Sequence, residues 1–464
     1  MFLESLKKSL IFLKNVVRSS DMKVEIENIK KQQRIVSKLN SRSDMEIYTP
    51  LGLVREMLDS LPSELWTNPN LTWCDPCCKS GMFLSEIVIR LYESLRSWES
   101  DDNKRYDHIV NNMIYGFCYT KIGHQITKKV TNVNNIGFID LENLKLKKKY
   151  DVIISNIPFN DSKDNRQNNA KQNIYHKIVE YLLNRSTYLM VTMPNRWMLQ
   201  ERMNDFRKKV CSSGIKFINT VDGVKHFGND IRGGISYTFI DHNYKDSVLT
   251  YNNKQYDVKK ILTKYDKLVL LKDDIVYNIL DKMCKHMSLA NMLYNTTTFD
   301  VKTNDKRLTF DVGNVKCKVS SKNEKDSTKV NYSESIGYYK YIDSSMIRCR
   351  ELLPSYKVVL PNVCGSQFDC YKPKDIVLLK SNEICNASFG FFSFDTEEEA
   401  INMIAYLNSK LITYIFSLFK FKQHINAQNF DFIPCIPMNV KWDDEKLFAY
   451  FNLNKEEMEY IINL

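Results

Sequence analysis

Asp151-Val152-Ile153-Ile154-Ser155-Asn156-Ile157-Pro158-Phe159 is the most informative segment of the chain. Its first five residues are a short run of mostly β-branched apolar residues, the composition of a strand buried on both faces. The next four change character. Asn156 is polar, and Pro158 disfavours a helical conformation at Ile157, so the strand ends in a loop. An amide and an aromatic ring are thereby delivered to the carboxyl end of a buried strand, where open α/β sheets bind their ligands.

On either side of this stretch, short apolar runs alternate with helical ones. Upstream lie 71–73, a helical 83–95 and 113–117; downstream lie a helical 174–183 and then 188–193. Strands alternating with helices predict an α/β domain, a doubly wound and largely parallel sheet with helices on both faces, over residues 45–245. Residues 1–44 read as an N-terminal helical segment, with Leu3, Leu6, Leu10, Leu13 and Val17 at helical spacing. Over 246–464 the alternation degrades into polar stretches and strand-like pieces (356–361, 375–379), then a long apolar helix over 400–419 and a charged tail from 442. This half reads as a separate α+β domain.

With 464 residues, 43% hydrophobic, the chain can bury the cores of two or three domains. Its 66 Lys and Arg against 55 Asp and Glu give a formal charge of +11, which suits a polyanionic partner. The twelve cysteines follow no disulfide framework, so reduced thiols are expected. Cys74 and Cys77 form a Cys-x-x-Cys, but a zinc site needs a second pair at comparable spacing, and Cys364 and Cys370 are too far apart; no metal is expected. Lysines interrupt the N-terminal apolar positions, which excludes a signal peptide or membrane span there, and the chain reads as soluble and cytoplasmic.

Four segments, in order, carry the chemistry: Tyr48-Thr49-Pro50; Asp75-Pro76-Cys77-Cys78-Lys79-Ser80-Gly81-Met82-Phe83-Leu84; Phe138-Ile139-Asp140; and the stretch ending in Asn156-Ile157-Pro158-Phe159. Together they resemble the motifs of gamma-class amino-group DNA methyltransferases, similar to the modification methylases of type II restriction systems. The resemblance is close over residues 45–245 and looser to the end, where 420–437 and 442–464 look like the tail of those enzymes. It implies a Rossmann-like methyltransferase domain at 45–245, a target recognition domain at 246–464, S-adenosyl-L-methionine as cofactor and double-stranded DNA as partner. A separate restriction endonuclease is a further partner if the enzyme belongs to a restriction system rather than standing alone.

The resemblance also implies roles. Tyr48, Thr49, Pro50, Asp75, Lys79, Gly81, Phe83, Cys118 and Asp140 belong to the cofactor site, with Asp75 near the amino group of the methionine end and Asp140 at the adenine. Asn156, Ile157, Pro158 and Phe159 form the catalytic loop. The residue types suit the reaction. Adenine's amino nitrogen is a poor nucleophile because its lone pair is delocalised, and two acceptors, the Asn156 side-chain oxygen and the Ile157 carbonyl, favour a more pyramidal nitrogen. Phe159 offers a face to a flipped base. Asn at position 156 leans towards adenine over cytosine-N4.

Three positions depart from the pattern. Ile157 replaces a usual proline, which a backbone acceptor tolerates. Lys79 replaces a usual glycine and either obstructs the pocket or pairs with the cofactor carboxylate. Gly116-Phe117-Cys118-Tyr119 lacks the acidic residue that normally binds ribose. These departures define the rival reading, a catalytically degenerate methyltransferase-fold protein that binds DNA. Methylation of RNA or protein fits the long C-terminal half less well. Asp140 reads equally as a surface turn residue, Thr49-Pro50 as a helix opening, and Arg232-Gly233-Gly234 as a hairpin turn or a close approach to phosphate. Lys420, Lys422, Gln423 and His424 could face DNA, with Asn426, Gln428 and Asn429 as adenine-reading amides, or the segment is a polar turn.

Overall fold

The computed structural model describes residues 21–37, 48–140, 144–160, 173–228, 233–302, 309–310, 327–331, 339–364, 370–371, 375–420 and 424–464. The helical reading of residues 1–17, together with Arg232, Lys422 and Gln423, lies outside them. The chain divides into two compact units, Met1–Leu270 and Leu271–Leu464.

The first unit is organised on one sheet. Its strands are β1 (Trp73–Asp75), β2 (Ile114–Cys118), β3 (Asn135–Phe138), β4 (Tyr150–Ser155), β5 (Ser186–Pro194), β6 (Ile215–Thr220), β7 (Ile235–Asp241), β8 (Val248–Tyr251) and β9 (Lys254–Asp257). Their order is β3-β2-β1-β4-β5-β7-β6-β8-β9. The first five run parallel, and β7 is inserted antiparallel between β5 and β6. The sheet continues beyond residue 245, since β8 pairs with β6 and then turns back into β9. From β1 the chain moves outward to β3, then crosses back to β4 on the other side of β1. This reversal opens a crevice outside the carboxyl ends of β1 and β4.

Helices cover the sheet: α1 (Met22–Val36), α2 (Leu51–Asp59), α3 (Met82–Ser94) and α4 (Lys121–Thr131) share one core with Val152 and Ile154 of β4. Ile153, between those two and also fully buried, turns by strand alternation to the other face. Helix α5 (Tyr175–Leu183) packs on β5 and on α6 (Asn204–Cys211). A both-faces-buried β4 is what its unbroken apolar run requires. Helix α1 is amphipathic and docks its buried Gln33 amide onto Ser85 Oγ at 3.0 Å and Glu86 Oε2 at 3.2 Å.

The second unit is α+β in composition. Strands β10 (Thr309–Phe310), β11 (Ser327–Asn331), β12 (Tyr339–Asp343) and β15 (Glu383–Cys385) form one sheet in the order β10-β12-β11-β15, and β13 (Tyr356–Pro361), β14 (Val377–Leu379) and β16 (Phe389–Phe394) another, ordered β14-β13-β16. The single long helix expected over 400–419 is instead two, Glu397–Leu407 and Lys410–Leu418. The reason is local: the Ser409 hydroxyl accepts from the Ile412 backbone N–H and caps a new helix, which an apolar count cannot register. No helix among the described residues is long and apolar enough to cross a membrane.

Candidate active site

The carboxyl ends of β1 through β5 lie on one edge of the sheet, and the motif segments collect there. Asp75 ends β1 with its carboxylate fully enclosed. It accepts from the Cys77 N–H at 3.0 Å and from Ser155 Oγ at 2.7 Å, so the ends of β1 and β4 are tied together. Burial pushes the Asp75 carboxyl up to about 6, against the two hydrogen bonds and the positive charge of Lys79, which pull it down.

The loop after β1 turns tightly. Lys79 has φ +44° and Gly81 φ +75°, both left-handed. Glycine takes that conformation freely, while a lysine there costs about 1–2 kcal/mol. Lys79 is buried. Its carbonyl accepts from Thr127 Oγ1 on α4 at 3.1 Å. Gly123 in the first turn of α4 makes this approach possible, because a Cβ there would sit 2.8 Å from that carbonyl. Gly81 then caps α3.

Phe83 and Cys118 are placed elsewhere than the cofactor-site reading implies. Phe83, in the first turn of α3, is part of the hydrophobic core. Cys118 shares the buried face of β2 with Ile114 and Gly116, its Sγ 3.1 Å from Cys78 Sγ. Strand alternation and helical phase turn both side chains inward, leaving only their backbone towards the edge. Asp140, by contrast, is exposed just beyond β3, beside β2, where the Ile139 N–H donates to the Cys118 carbonyl at 3.0 Å.

The Asn156-Ile157-Pro158-Phe159 segment leaves β4 beside β5. Asn156 is buried, and its side chain is held at both ends: Nδ2 donates to Thr49 Oγ1 at 3.1 Å, and Oδ1 accepts from Thr192 Oγ1 at 2.6 Å. The first contact brings the Tyr48-Thr49-Pro50 segment onto the loop. Pro50 also opens α2, its carbonyl accepting from the Val54 N–H at 3.0 Å, as the helix-opening reading expects. Tyr48 is buried, as is Ile157, which occupies the place of the usual proline. Pro158 and Phe159 are partly exposed. Phe159 meets Tyr175 of α5 edge-on, centroids 6.4 Å apart, and Asn160 pairs with Asn173 beside it.

Sequence reading missed Thr192 and Thr127, and saw Ser155 only as the end of a strand. Polar side chains inside otherwise apolar elements were the available signal. In the second unit the DNA-facing reading is corrected at Lys420, which is fully buried. The side-chain oxygens of Asn426 and Asn429 accept from backbone N–H groups in a reciprocal cap around residues 427–430, as the polar-turn reading expects. His424 is exposed.

Residues 20–227 match the model of the Eco57I restriction-modification methylase family. An uncharacterized adenine-specific methylase of Mycoplasma pneumoniae is 38% identical over 79 residues, covering 16% of this chain and 19% of that protein. The type II methyltransferase M.VspI of Vibrio sp. (strain 343) is 25% identical over 146 residues, 31% of this chain and 32% of that protein. The chain therefore spans a third or less of these curated relatives in the matched regions. Among solved structures, the ATP-dependent type ISP restriction-modification enzyme LlaBIII bound to DNA superposes with a TM-score of 0.54 at 10% identity, over 92% of this chain and 40% of that one, a likeness of fold. The α/β fold, the motif order along its carboxyl edge and the matched family model agree: residues 20–227 are similar to the Eco57I restriction-modification methylases.

Proposed function

We propose that this protein is a site-specific DNA methyltransferase that moves a methyl group from S-adenosyl-L-methionine to the exocyclic amine of a flipped adenine. One observation carries the reading: the 2.7 Å bond from Ser155 to Asp75 joins the strand end suited to a methyl donor with the strand end suited to its acceptor. Binding both partners across that junction makes the displacement effectively unimolecular, and orientation is its main lever.

The residues present fit the cofactor. Its amino-acid end is a zwitterion, and Asp75 offers a buried carboxylate for the ammonium while Lys79 offers a cation for the carboxylate. An ammonium beside Asp75 holds it ionised despite burial. Asp140 is exposed at the position suited to the adenine amine, and no carboxylate stands at Cys118 or Tyr119 for the ribose. When bound, the cofactor supplies a methyl group on a sulfonium. Asn156 Oδ1 and the Ile157 carbonyl accept the two hydrogens of the target amine, which favours a pyramidal, nucleophilic nitrogen. Phe159, braced by Tyr175, stacks on the base. The second unit is the proposed target recognition domain, and residues 45–245, with the sheet's extension to 257, the methyltransferase domain. Two of the three departures are accommodated by the fold: Gly123 and Thr127 fit the Lys79 turn, and Ile157 is buried.

Transfer of tritiated methyl from the cofactor to unmethylated DNA, followed by nucleoside analysis, tests this. Label in N6-methyl-2'-deoxyadenosine is the expected result. Label in cytosine, or in protein or RNA alone, overturns the substrate assignment.

A further inference from the structure

The Asn156 amide is a two-faced group: rotated by 180° it presents NH2 where it presented oxygen. Facing the amine of a target base, the oxygen attracts and the NH2 repels. Threonine hydroxyls both donate and accept, so the identity of the neighbours alone leaves the rotation open. The distances sort it. A separation of 2.6 Å between Thr192 Oγ1 and Oδ1 is an O–H···O length, and 3.1 Å between Nδ2 and Thr49 Oγ1 is an N–H···O length. The Thr192 bond uses one of the two lone pairs of Oδ1 and leaves the other.

We propose that Thr192, with Thr49 at the opposite end, is a positioning residue that fixes the Asn156 amide oxygen towards the target base before the base arrives. The inference rests on the function proposed above. Thr192 is fully buried in β5, so its hydroxyl has no water to turn to and its preference for the amide oxygen is strong. Thr49 accepts from Nδ2 and keeps its own hydrogen, in the segment assigned to the cofactor, so both substrates meet this amide through the same short chain of bonds.

Thr192→Val removes the donor with nearly the same shape, and Thr192→Ser restores it. Misorientation of one reacting contact lowers rates by about 100-fold in unfavourable cases, so Thr192→Val should lower kcat about 10- to 100-fold with KM for S-adenosyl-L-methionine unchanged. Thr192→Ser should recover most of that loss. Equal kcat in Thr192→Val and wild type overturns the proposal, as does a Thr192→Ser enzyme no better than Thr192→Val. A wild type that methylates nothing overturns the function instead, and the amide itself then decides. With 15N-asparagine labelling, the Asn156 side-chain resonances, identified by their loss in Asn156→Ala, should be protected from solvent exchange in wild type and exposed in Thr192→Val. Identical exchange in both overturns the clamp.

Discussion

Thr127 Oγ1 on α4 donates to the Lys79 carbonyl at 3.1 Å, which pins the one left-handed lysine among the described residues at the mouth of the β1 crevice. A backbone held in an unfavourable region by its surroundings makes Lys79 the position where loop stability and ligand binding are expected to pull in opposite directions.

Lys79→Gly should therefore separate the two. Release from the left-handed strain should raise stability by about 1 kcal/mol, read as an increased Tm. Loss of the ammonium should weaken binding of S-adenosyl-L-methionine by about 1.5–3 kcal/mol in isothermal titration, the range for a charged hydrogen bond. Tighter binding by the variant would show that the lysine obstructs the pocket.

Gly123→Ala brings a Cβ within 2.8 Å of that same carbonyl. The contact is with backbone, which cannot rotate away, so the turn must shift at a cost of about 1–3 kcal/mol. The expected outcome is a lower Tm together with weaker cofactor binding. A variant with wild-type affinity would mean that the 79 turn is not part of the cofactor site.

Asp75 predicts a pH dependence. Its folded pKa, near 6, lies above the ordinary value of 3.8, so between those values the folded state binds more protons than the unfolded one. Stability from this group is full below about pH 4 and is lost as pH rises through 6. Cofactor binding runs the other way, because a protonated Asp75 cannot pair an ammonium, and affinity should fall as pH drops below 6. Titrations at pH 5 and 7.5 check this, and Asp75→Asn should flatten the difference.

Asn156→Ala should abolish methyl transfer while leaving the cofactor dissociation constant nearly intact. It also strands the buried Thr192 hydroxyl, at a stability cost of about 1–3 kcal/mol. Residual turnover above a few per cent would place the catalytic loop elsewhere.

DNA affinity should fall steeply with salt, because the +11 charge implies several phosphate contacts whose counterions are released on binding. Fluorescence anisotropy between low and moderate salt measures the slope, and a flat response would argue against DNA as partner.

Local sequence pattern is enough to predict the largely parallel core and to place the motif residues at its carboxyl edge. A short, β-branched apolar run such as Val152-Ile153-Ile154 predicts a buried strand, and Asn156 and Pro158 behind it predict its loop, because these are properties of a few adjacent residues. The same local logic placed Asp75 and Asn156 at strand ends. Folding adds the contacts between residues far apart in the chain: Ser155 on Asp75, Thr192 and Thr49 on Asn156, Thr127 and Gly123 around Lys79. It decided also which candidates turn inward, as Phe83, Cys118 and Lys420 do, because the direction of a side chain depends on the phase of its element against neighbours that no local pattern names. Residue type told which groups could do the chemistry; strand order, set by packing over the whole sheet, told which of them stand together.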